Sequence, residues 1–183
     1  SGNIRVTASA LAEAGQPAQV GGLVGTNFGP ISDAVASGDV TVTSGLVNSY
    51  VGGFVGYNGP VTDGGGPGEI TASVASGSVN YTTDLEGAVG GFAGANDGTI
   101  TDAFAEGTTT LSMSAFRGDP FDTDYGSAVG GFTGANAGSQ TRTAARGDVS
   151  GQTITVPLAV GGHSGAQLFG ATRDAYASGD VVA

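Results

Sequence analysis

Val20-Gly21-Gly22-Leu23-Val24-Gly25 is the stretch that decides the fold, because the chain repeats its pattern five times. Each copy has Val-Gly-Gly, then a bulky residue, and a further Gly two positions later. The copies start at Val20, Val51, Val89, Val129 and Val160. Self-similarity at intervals of 31 to 40 residues is typical of a chain built from stacked, similar units.

A carboxamide follows each copy seven residues after its Val, and this set comprises Asn27, Asn58, Asn96, Asn136 and Gln167. Two further segments complete each repeat, and in the first repeat they are residues 31–37 and 40–43. Apolar and polar residues alternate within these segments, and Gly, Asn or Pro separates them. The pattern predicts β-strands, three per coil.

The predicted fold is all-β, a parallel β-solenoid of about five coils with three short strands per coil. Helix is disfavoured because Gly and β-branched residues fill the segments and no apolar stripe has helical spacing. Residues 1–183 are predicted to form a single elongated solenoid domain. Loop excursions are expected at about 59–69 and 112–127, where extra residues lengthen the repeat.

Stacking of equivalent positions predicts three interior columns. A narrow interior would require the small side chains of Ala36, Ala75, Ala105, Ala145 and Ala177. An apolar column with rings about 4.8 Å apart is expected from Leu23, Phe54, Phe92, Phe132 and His163. The carboxamides are expected to form an amide ladder, in which each side chain bonds its equivalent in the next repeat.

One apolar column is predicted to face outward, since it alternates with the Ala column. Its members are Val35, Val74, Phe104, Ala144 and Tyr176. Two explanations stay open: a strand bend or an excursion loop covers these side chains, or they form an exposed stripe that contacts a partner.

The charge balance narrows the class of partner. The net charge of −11 arises from 16 acidic residues against five Arg and no Lys. Such a surface repels nucleic acid and anionic membranes, so neither partner is expected. No apolar run is long enough to span a bilayer, and membrane insertion is not expected. Hydrophobic residues make up 39% of the chain at regular positions, which argues against disorder.

Gly22-Leu23-Val24-Gly25, followed by residues 31–40, closely resembles the GLUG repeat. That repeat occurs in large bacterial surface and secreted proteins, including filamentous-haemagglutinin-like adhesins and some immunoglobulin A peptidases. The resemblance covers about four full repeats and two partial ones. It implies a β-solenoid of extracellular or cell-surface location. It carries over no catalytic residue, because the repeat is a scaffold in proteins of differing activity.

His163 is the only His, so any Ser-His-Asp triad would have to use it. Its position in the aromatic column predicts a stacked ring instead. Transition-metal sites need several His or Cys, and the chain has no Cys. Polysaccharide cleavage by paired carboxylates is disfavoured, since no Lys and no clustered Arg would neutralise a uronate. We therefore expect no enzymatic activity.

Asp119, Asp122 and Asp124 are the candidate metal ligands. Closely spaced carboxylates beside Gly126 supply the hard oxygen ligands that suit Ca²⁺. The alternative is an acidic loop that is simply solvated. Calcium is the only cofactor that the sequence suggests.

The alternative function is that of a glycan- or ice-binding module, and two polar rows on the third segment suggest ice binding. A flat solenoid face with regular Thr can order water, although Thr is also favoured in strands for packing reasons. The rows are interrupted: one comprises Arg5, Thr41, Asn80, Thr110 and Ser150, and the other Thr7, Thr43, Thr82, Ser112 and Gln152.

Residues 1–6 match residues 37–42, and residues 178–183 reach the start of another third strand. Two explanations compete: the chain is a segment of a longer solenoid, or subunits stack head to tail into a filament. The expected function is that of a non-catalytic structural protein of the cell exterior, an adhesin or fibre subunit. Its expected partners are further copies of itself and surface glycans.

Overall fold

The computed structural model describes residues 2–8, 18–44, 49–60, 66–113, 126–153 and 157–183. These residues form β-strands joined by bends and short connections, and the part of the chain described contains no helix. In that part, there is accordingly no helix with the length and apolarity of a membrane span. The all-β, parallel solenoid prediction is confirmed, because every strand pairs in parallel with its equivalent in the neighbouring repeats.

The strands lie in four sheets, numbered by their order along one repeat. Sheet I contains Ile4–Ala8, Val40–Ser44, Val79–Thr83, Thr109–Met113, Val149–Gln152 and Val181–Val182. Sheet II contains Gln19–Gly21, Ser49–Gly52, Gly87–Gly90, Ser127–Gly130 and Leu158–Gly161. Sheet III contains Val24–Asn27, Val55–Asn58, Ala93–Asn96, Thr133–Asn136 and Ser164–Gln167. Sheet IV contains Pro30–Ser32, Val35–Ala36, Glu69–Thr71, Val74–Ala75, Thr99–Ala105, Ser139–Ala145, Ala171–Arg173 and Tyr176–Ala177.

The Val-Gly-Gly segment differs from the prediction of three strands per coil, because it forms two strands rather than one. The chain bends at the second Gly and the bulky residue, so that Val20 lies in sheet II and Val24 in sheet III. Backbone crowding explains the first Gly of the motif. A Cβ at Gly21 would lie 2.7 Å from the carbonyl oxygen of Phe54 in the next repeat.

The last Gly of the motif allows sheets II and III to pack backbone against backbone. A Cβ at Gly134 in sheet III would lie 2.6 Å from the amide nitrogen of Val89 in sheet II. Gly56 has the same relationship to Val20, also at 2.6 Å. Real Cβ atoms do not approach other atoms this closely, so a larger residue would force the two sheets apart.

Two apolar cores flank this glycine-lined contact. One core joins sheets III and IV and includes Phe54, Phe92, Phe132, Ile70 and Ile100. The other joins sheets I and II and includes Val40, Val51, Val89, Leu111 and Val129. The layers therefore follow in the order I, II, III, IV. The predicted small-residue column is confirmed within the first core for Ala36, Ala75, Ala105 and Ala145, which are buried. Its fifth member, Ala177 in the last repeat, is exposed.

Sheet IV contains a left-handed backbone position in every repeat. The residues with φ between +50° and +54° are Asp33, Ala72, Asp102, Arg142 and Asp174. Three of the five are Asp, which tolerates this conformation better than most residues. The bend turns the chain between the two halves of the sheet IV segment and directs this polar column to the outside.

Candidate functional site

The predicted aromatic column is present at the bend between sheets II and III. Ring centroids are 4.6 Å apart for Phe54 and Phe92 and 4.9 Å for Phe92 and Phe132, with the planes within 10° of parallel. All three Phe side chains are completely buried. The column is a packing element of the core between sheets III and IV.

His163 continues the column, 5.1 Å from the ring of Phe132. Its Nε2 lies 3.0 Å from the hydroxyl oxygen of Thr143, and its Nδ1 lies 3.0 Å from that of Ser164. Burial lowers the pKa of the imidazole to about 4, so the ring is neutral at pH 7. Both ring nitrogens thus lie beside hydroxyl oxygens, and the stacked position predicted from the sequence is the one observed.

The predicted amide ladder is also confirmed. Each side-chain nitrogen donates to the side-chain oxygen of the next repeat at 2.9, 2.7, 2.8 and 3.1 Å, through Asn27, Asn58, Asn96, Asn136 and Gln167. The three central Asn side chains are fully buried. Buried amides normally require partners, and the ladder provides them without any ligand.

The candidate calcium ligands Asp119, Asp122 and Asp124 lie outside the described residues, as does most of the excursion at 112–127. The central part of the excursion at 59–69 lies outside them too. Within the ranges that the structure describes, no three His, Asp or Glu side chains come close enough together to hold a metal ion. Calcium binding by the three Asp residues stays a prediction.

The outward apolar column of sheet IV is covered unevenly. Val35 is 64% exposed, whereas Ala144 is buried. The Arg146 guanidinium lies 5.1 Å from the ring centre of Phe104 and 6.0 Å from that of Tyr176. Arg146 also donates to the Tyr176 hydroxyl at 2.8 Å. Arg146, which directly follows the sheet IV strand Ser139–Ala145 and which sequence reasoning did not consider, covers part of this stripe through cation–π contacts.

A surface ion pair on sheet IV joins two residues that are 40 positions apart in the sequence. Arg142 donates from Nε and Nη2 to the two carboxylate oxygens of Asp102, at 2.5 and 2.8 Å. This bidentate pair raises the pKa of Arg142 and lowers that of Asp102, chiefly through the hydrogen bond. Both side chains are exposed, so the pair adds little stability but aligns adjacent repeats.

The two polar rows are brought together on one side of sheet I. Parallel register places Asn80 between Thr41 and Thr110, and Thr82 between Thr43 and Ser112. The residues between them, Val42, Tyr81 and Leu111, are buried on the opposite side. The rows therefore form a polar outer face, as the alternation predicted.

An aromatic cluster that sequence reasoning missed lies where the sheet II and sheet III strands of the second repeat are adjacent. The rings of Tyr50 and Tyr57 are 5.9 Å apart and 25° from parallel. Phe28, which is 44% exposed, meets Tyr57 edge-on at 6.3 Å. Tyr57 donates its hydroxyl to Asp97 Oδ2 at 2.7 Å. Neither tyrosine belongs to a recurring motif, so the repeat pattern gave no signal for this cluster.

Comparison with known proteins agrees with this architecture. The chain is a repeat protein of the parallel β-solenoid class. Its residues 17–43 and 86–110 match the family model described as the GLUG motif, so the chain contains GLUG repeats. The two matches include the first and third Val-Gly-Gly copies. No curated protein matches the chain, and no solved structure does.

Proposed function

We propose that the chain is a non-catalytic structural element of the cell exterior, an adhesin or fibre subunit whose solenoid extends head to tail. The observation that carries this proposal is the common register of the repeats, because it lets every sheet and every stacked column continue into a further repeat. Leu23 is 46% exposed, although its equivalents Phe54 and Phe92 are completely buried. Val181 is 47% exposed, although its sheet I equivalents Val79 and Val149 are at most 1% exposed.

Each end face matches the other in chemistry. At one end Leu23 and Asn27 begin the aromatic column and the amide ladder, and at the other His163 and Gln167 end them. A further repeat in the same register would cover the exposed apolar side chains. It would also extend every sheet by one strand. A contact of this kind between copies joins two different surfaces, so it does not close and generates a filament.

The use of the buried polar groups supports a structural role. The amide side chains bond one another, and the single imidazole is neutral and stacked. A catalytic site normally holds groups whose pKa is matched to proton transfer near the working pH. A pKa near 4 within an aromatic stack suits packing instead.

The test of end-to-end assembly uses one charged substitution on each end face. Leu23→Asp leaves the C-terminal face intact, and Val181→Asp leaves the N-terminal face intact. Light scattering and negative-stain microscopy should show filaments that lengthen with concentration for the wild type and for Thr82→Asp, a control on the lateral surface. Each end variant alone should be monomeric, and an equimolar mixture of the two should form dimers through the intact faces. Compact wild-type monomers at every concentration would overturn this proposal.

Ice binding is a second candidate, favoured by the polar outer face of sheet I. Thr41, Asn80 and Thr110 form one row of that face, and Thr43, Thr82 and Ser112 form the next. Adjacent strands place such groups about 4.8 Å apart, in a regular two-dimensional array. Recrystallisation of ice should then be inhibited by the wild type but not by Thr82→Tyr, which breaks the flat surface. Equal inhibition by the wild type and by Thr82→Tyr would rule out the outer face of sheet I as an ice-binding surface.

A further inference from the structure

We propose that Phe28, Tyr50, Tyr57 and Asp97 form a binding site for a neutral pyranose ring of a glycan. The inference rests on the adhesive part of the proposed function and does not depend on end-to-end assembly. The four residues come from three successive repeats and meet on one surface.

The repeat architecture itself does not require the two tyrosines. Tyr50 aligns in sheet II with Ala88, and the column continues through Ala128 and Ala159. Tyr57 aligns in sheet III with Ala95, and its column continues through Ala135 and Ala166. Three repeats therefore pack with an Ala at both positions. The aromatic pair is an addition to the scaffold, confined to one repeat.

The neighbouring backbone makes room for this addition. A Cβ at Gly59 would lie 2.5 Å from Cζ of the Tyr57 ring, so the ring takes the space that a side chain would fill. The residues at the equivalent position in the other repeats are Phe28, Asp97, Ala137 and Leu168. Among the sheet III strands, the repeat that has Tyr is thus also the repeat that has Gly at this position. The pair Tyr57 and Gly59 indicates a built site rather than an isolated surface residue.

The polar group of the site is held in place by its own backbone. The Asp97 amide nitrogen donates to the carbonyl oxygen of Asn58 at 2.7 Å, which fixes Asp97 beside the second repeat. Burial and the Asp97 carboxylate raise the pKa of the Tyr57 phenol, so it stays protonated and donates to Oδ2. An exposed carboxylate beside aromatic rings accepts hydrogen bonds from hydroxyl groups, and these are stronger than bonds between neutral groups.

The chemistry favours a neutral sugar over the other ligand classes. Pyranose rings present C–H groups on one face, which contact aromatic rings, and hydroxyls at the edge, which donate to a carboxylate. An anionic sugar would be repelled by Asp97 and by a chain of net charge −11. An aromatic cage for a quaternary ammonium needs rings that enclose the cation. Tyr50 and Tyr57 instead stack on each other at 5.9 Å.

The chain's own composition supplies the assay. It has five Tyr and no Trp, so tyrosine emission reports on a small set of residues that includes both members of the pair. The probes are cellohexaose, maltohexaose, mannohexaose and chitohexaose, with choline and polygalacturonate as charged comparisons. Saturable binding of at least one neutral oligosaccharide should be detected by emission and by calorimetry.

The variants are chosen from residues that other repeats already tolerate. Tyr50→Ala, Tyr57→Ala and Asp97→Ala each reproduce the residue found in the fourth repeat, so they should fold. Each should weaken neutral-sugar binding about tenfold or more. Phe169→Ala, which removes an 87% exposed ring elsewhere, should bind like the wild type. Absence of binding to every neutral probe, equal binding by the Tyr variants, or saturation by choline alone would overturn the site. Filament formation would be unaffected by that result, so failure of the site and failure of the assembly are distinguishable.

Discussion

The imidazole of His163 lies 5.1 Å from the ring of Phe132 and 18° from parallel with it, as the last ring of the aromatic column. Burial lowers the pKa of His163 from the ordinary value of 6.5 to about 4. Between pH 6.5 and pH 4 the His163 imidazole is protonated in the unfolded chain but not in the folded one. The contribution of the neutral imidazole to the free energy of unfolding is therefore fully present above pH 6.5, and it is lost as the pH falls toward 4.

His163→Phe should remove this part of the pH dependence, because Phe occupies the same position in three other repeats. The loss in the wild type should reach at most about 3 kcal/mol near pH 4. Urea unfolding of both proteins from pH 4 to 8 measures it. Carboxyl groups titrate in the same range, so the relevant quantity is the difference between the two proteins. Parallel curves would show that the imidazole is not buried as described.

Thr109→Val should stabilise the chain. The Thr109 hydroxyl is buried and has no hydrogen-bond partner within the described residues. Its sheet I neighbours in register are Val79 and Val149. Removing an unsatisfied buried hydroxyl should raise the free energy of unfolding by about 1 kcal/mol. The reverse change in the same column, Val149→Thr, should lower it. If both variants lose stability, the hydroxyl is satisfied in solution.

Asn96→Ala should be strongly destabilising, because it removes two adjacent rungs of a buried ladder. Asn96 accepts from Asn58 at 2.7 Å and donates to Asn136 at 2.8 Å. The expected loss is about 3 kcal/mol, since two polar partners remain buried. Gln167→Ala, at the exposed end of the ladder, should cost much less. Similar losses for the two variants in urea unfolding would contradict a ladder that stabilises mainly through its buried rungs.

Ala72→Gly should stabilise the chain slightly. Ala72 has φ of +50°, a conformation that costs a residue with a Cβ more than it costs Gly. After the entropy cost of Gly is subtracted, the expected gain is about 0.5 kcal/mol. Ala75→Gly is the matched control, since Ala75 is buried and not left-handed, and it should be destabilising. A loss of stability in both variants would contradict the inference that the left-handed backbone at Ala72 is strained.

Calcium should raise the melting temperature if the acidic insertion binds it. The double variant Asp122→Ala, Asp124→Ala removes two of the three predicted carboxylate ligands and should abolish that rise. Scanning calorimetry with calcium and with a chelator measures the effect, and magnesium serves as the ion control. An identical response of the wild type and the double variant would remove the metal hypothesis.

The repeats in the sequence predicted those structural features in which one repeat position stacks on its equivalents in the other repeats. The Phe column, the Ala column and the amide ladder follow from this, because identical residues at one position must stack in a parallel solenoid. The four-sheet arrangement did not follow. The bend at Gly22 and the close contact of Gly134 with Val89 depend on how two segments of a repeat fold onto each other, and no periodicity encodes that.

The aromatic cluster escaped prediction for a related reason. Tyr50 and Tyr57 are seven residues apart, and only the bend between sheets II and III brings their columns together. Asp97 joins them from the following repeat. Departures from a repeat are visible in the sequence, yet their meaning depends on knowing which columns are adjacent. The pairing of Arg142 with Asp102, in contrast, could have been found from their shared position one repeat apart.

The amide ladder also gives the solenoid a dipole along its axis. Every rung donates from a lower repeat to the next higher one, beginning at Asn27 and ending at Gln167. The amide dipoles therefore add along the axis, and each bond polarises the next, as peptide groups do in a helix. An incoming repeat meets an amide acceptor at one end and an amide donor at the other. Copies would thus add in one orientation only. A copy that approached in the inverted orientation would place donor against donor or acceptor against acceptor.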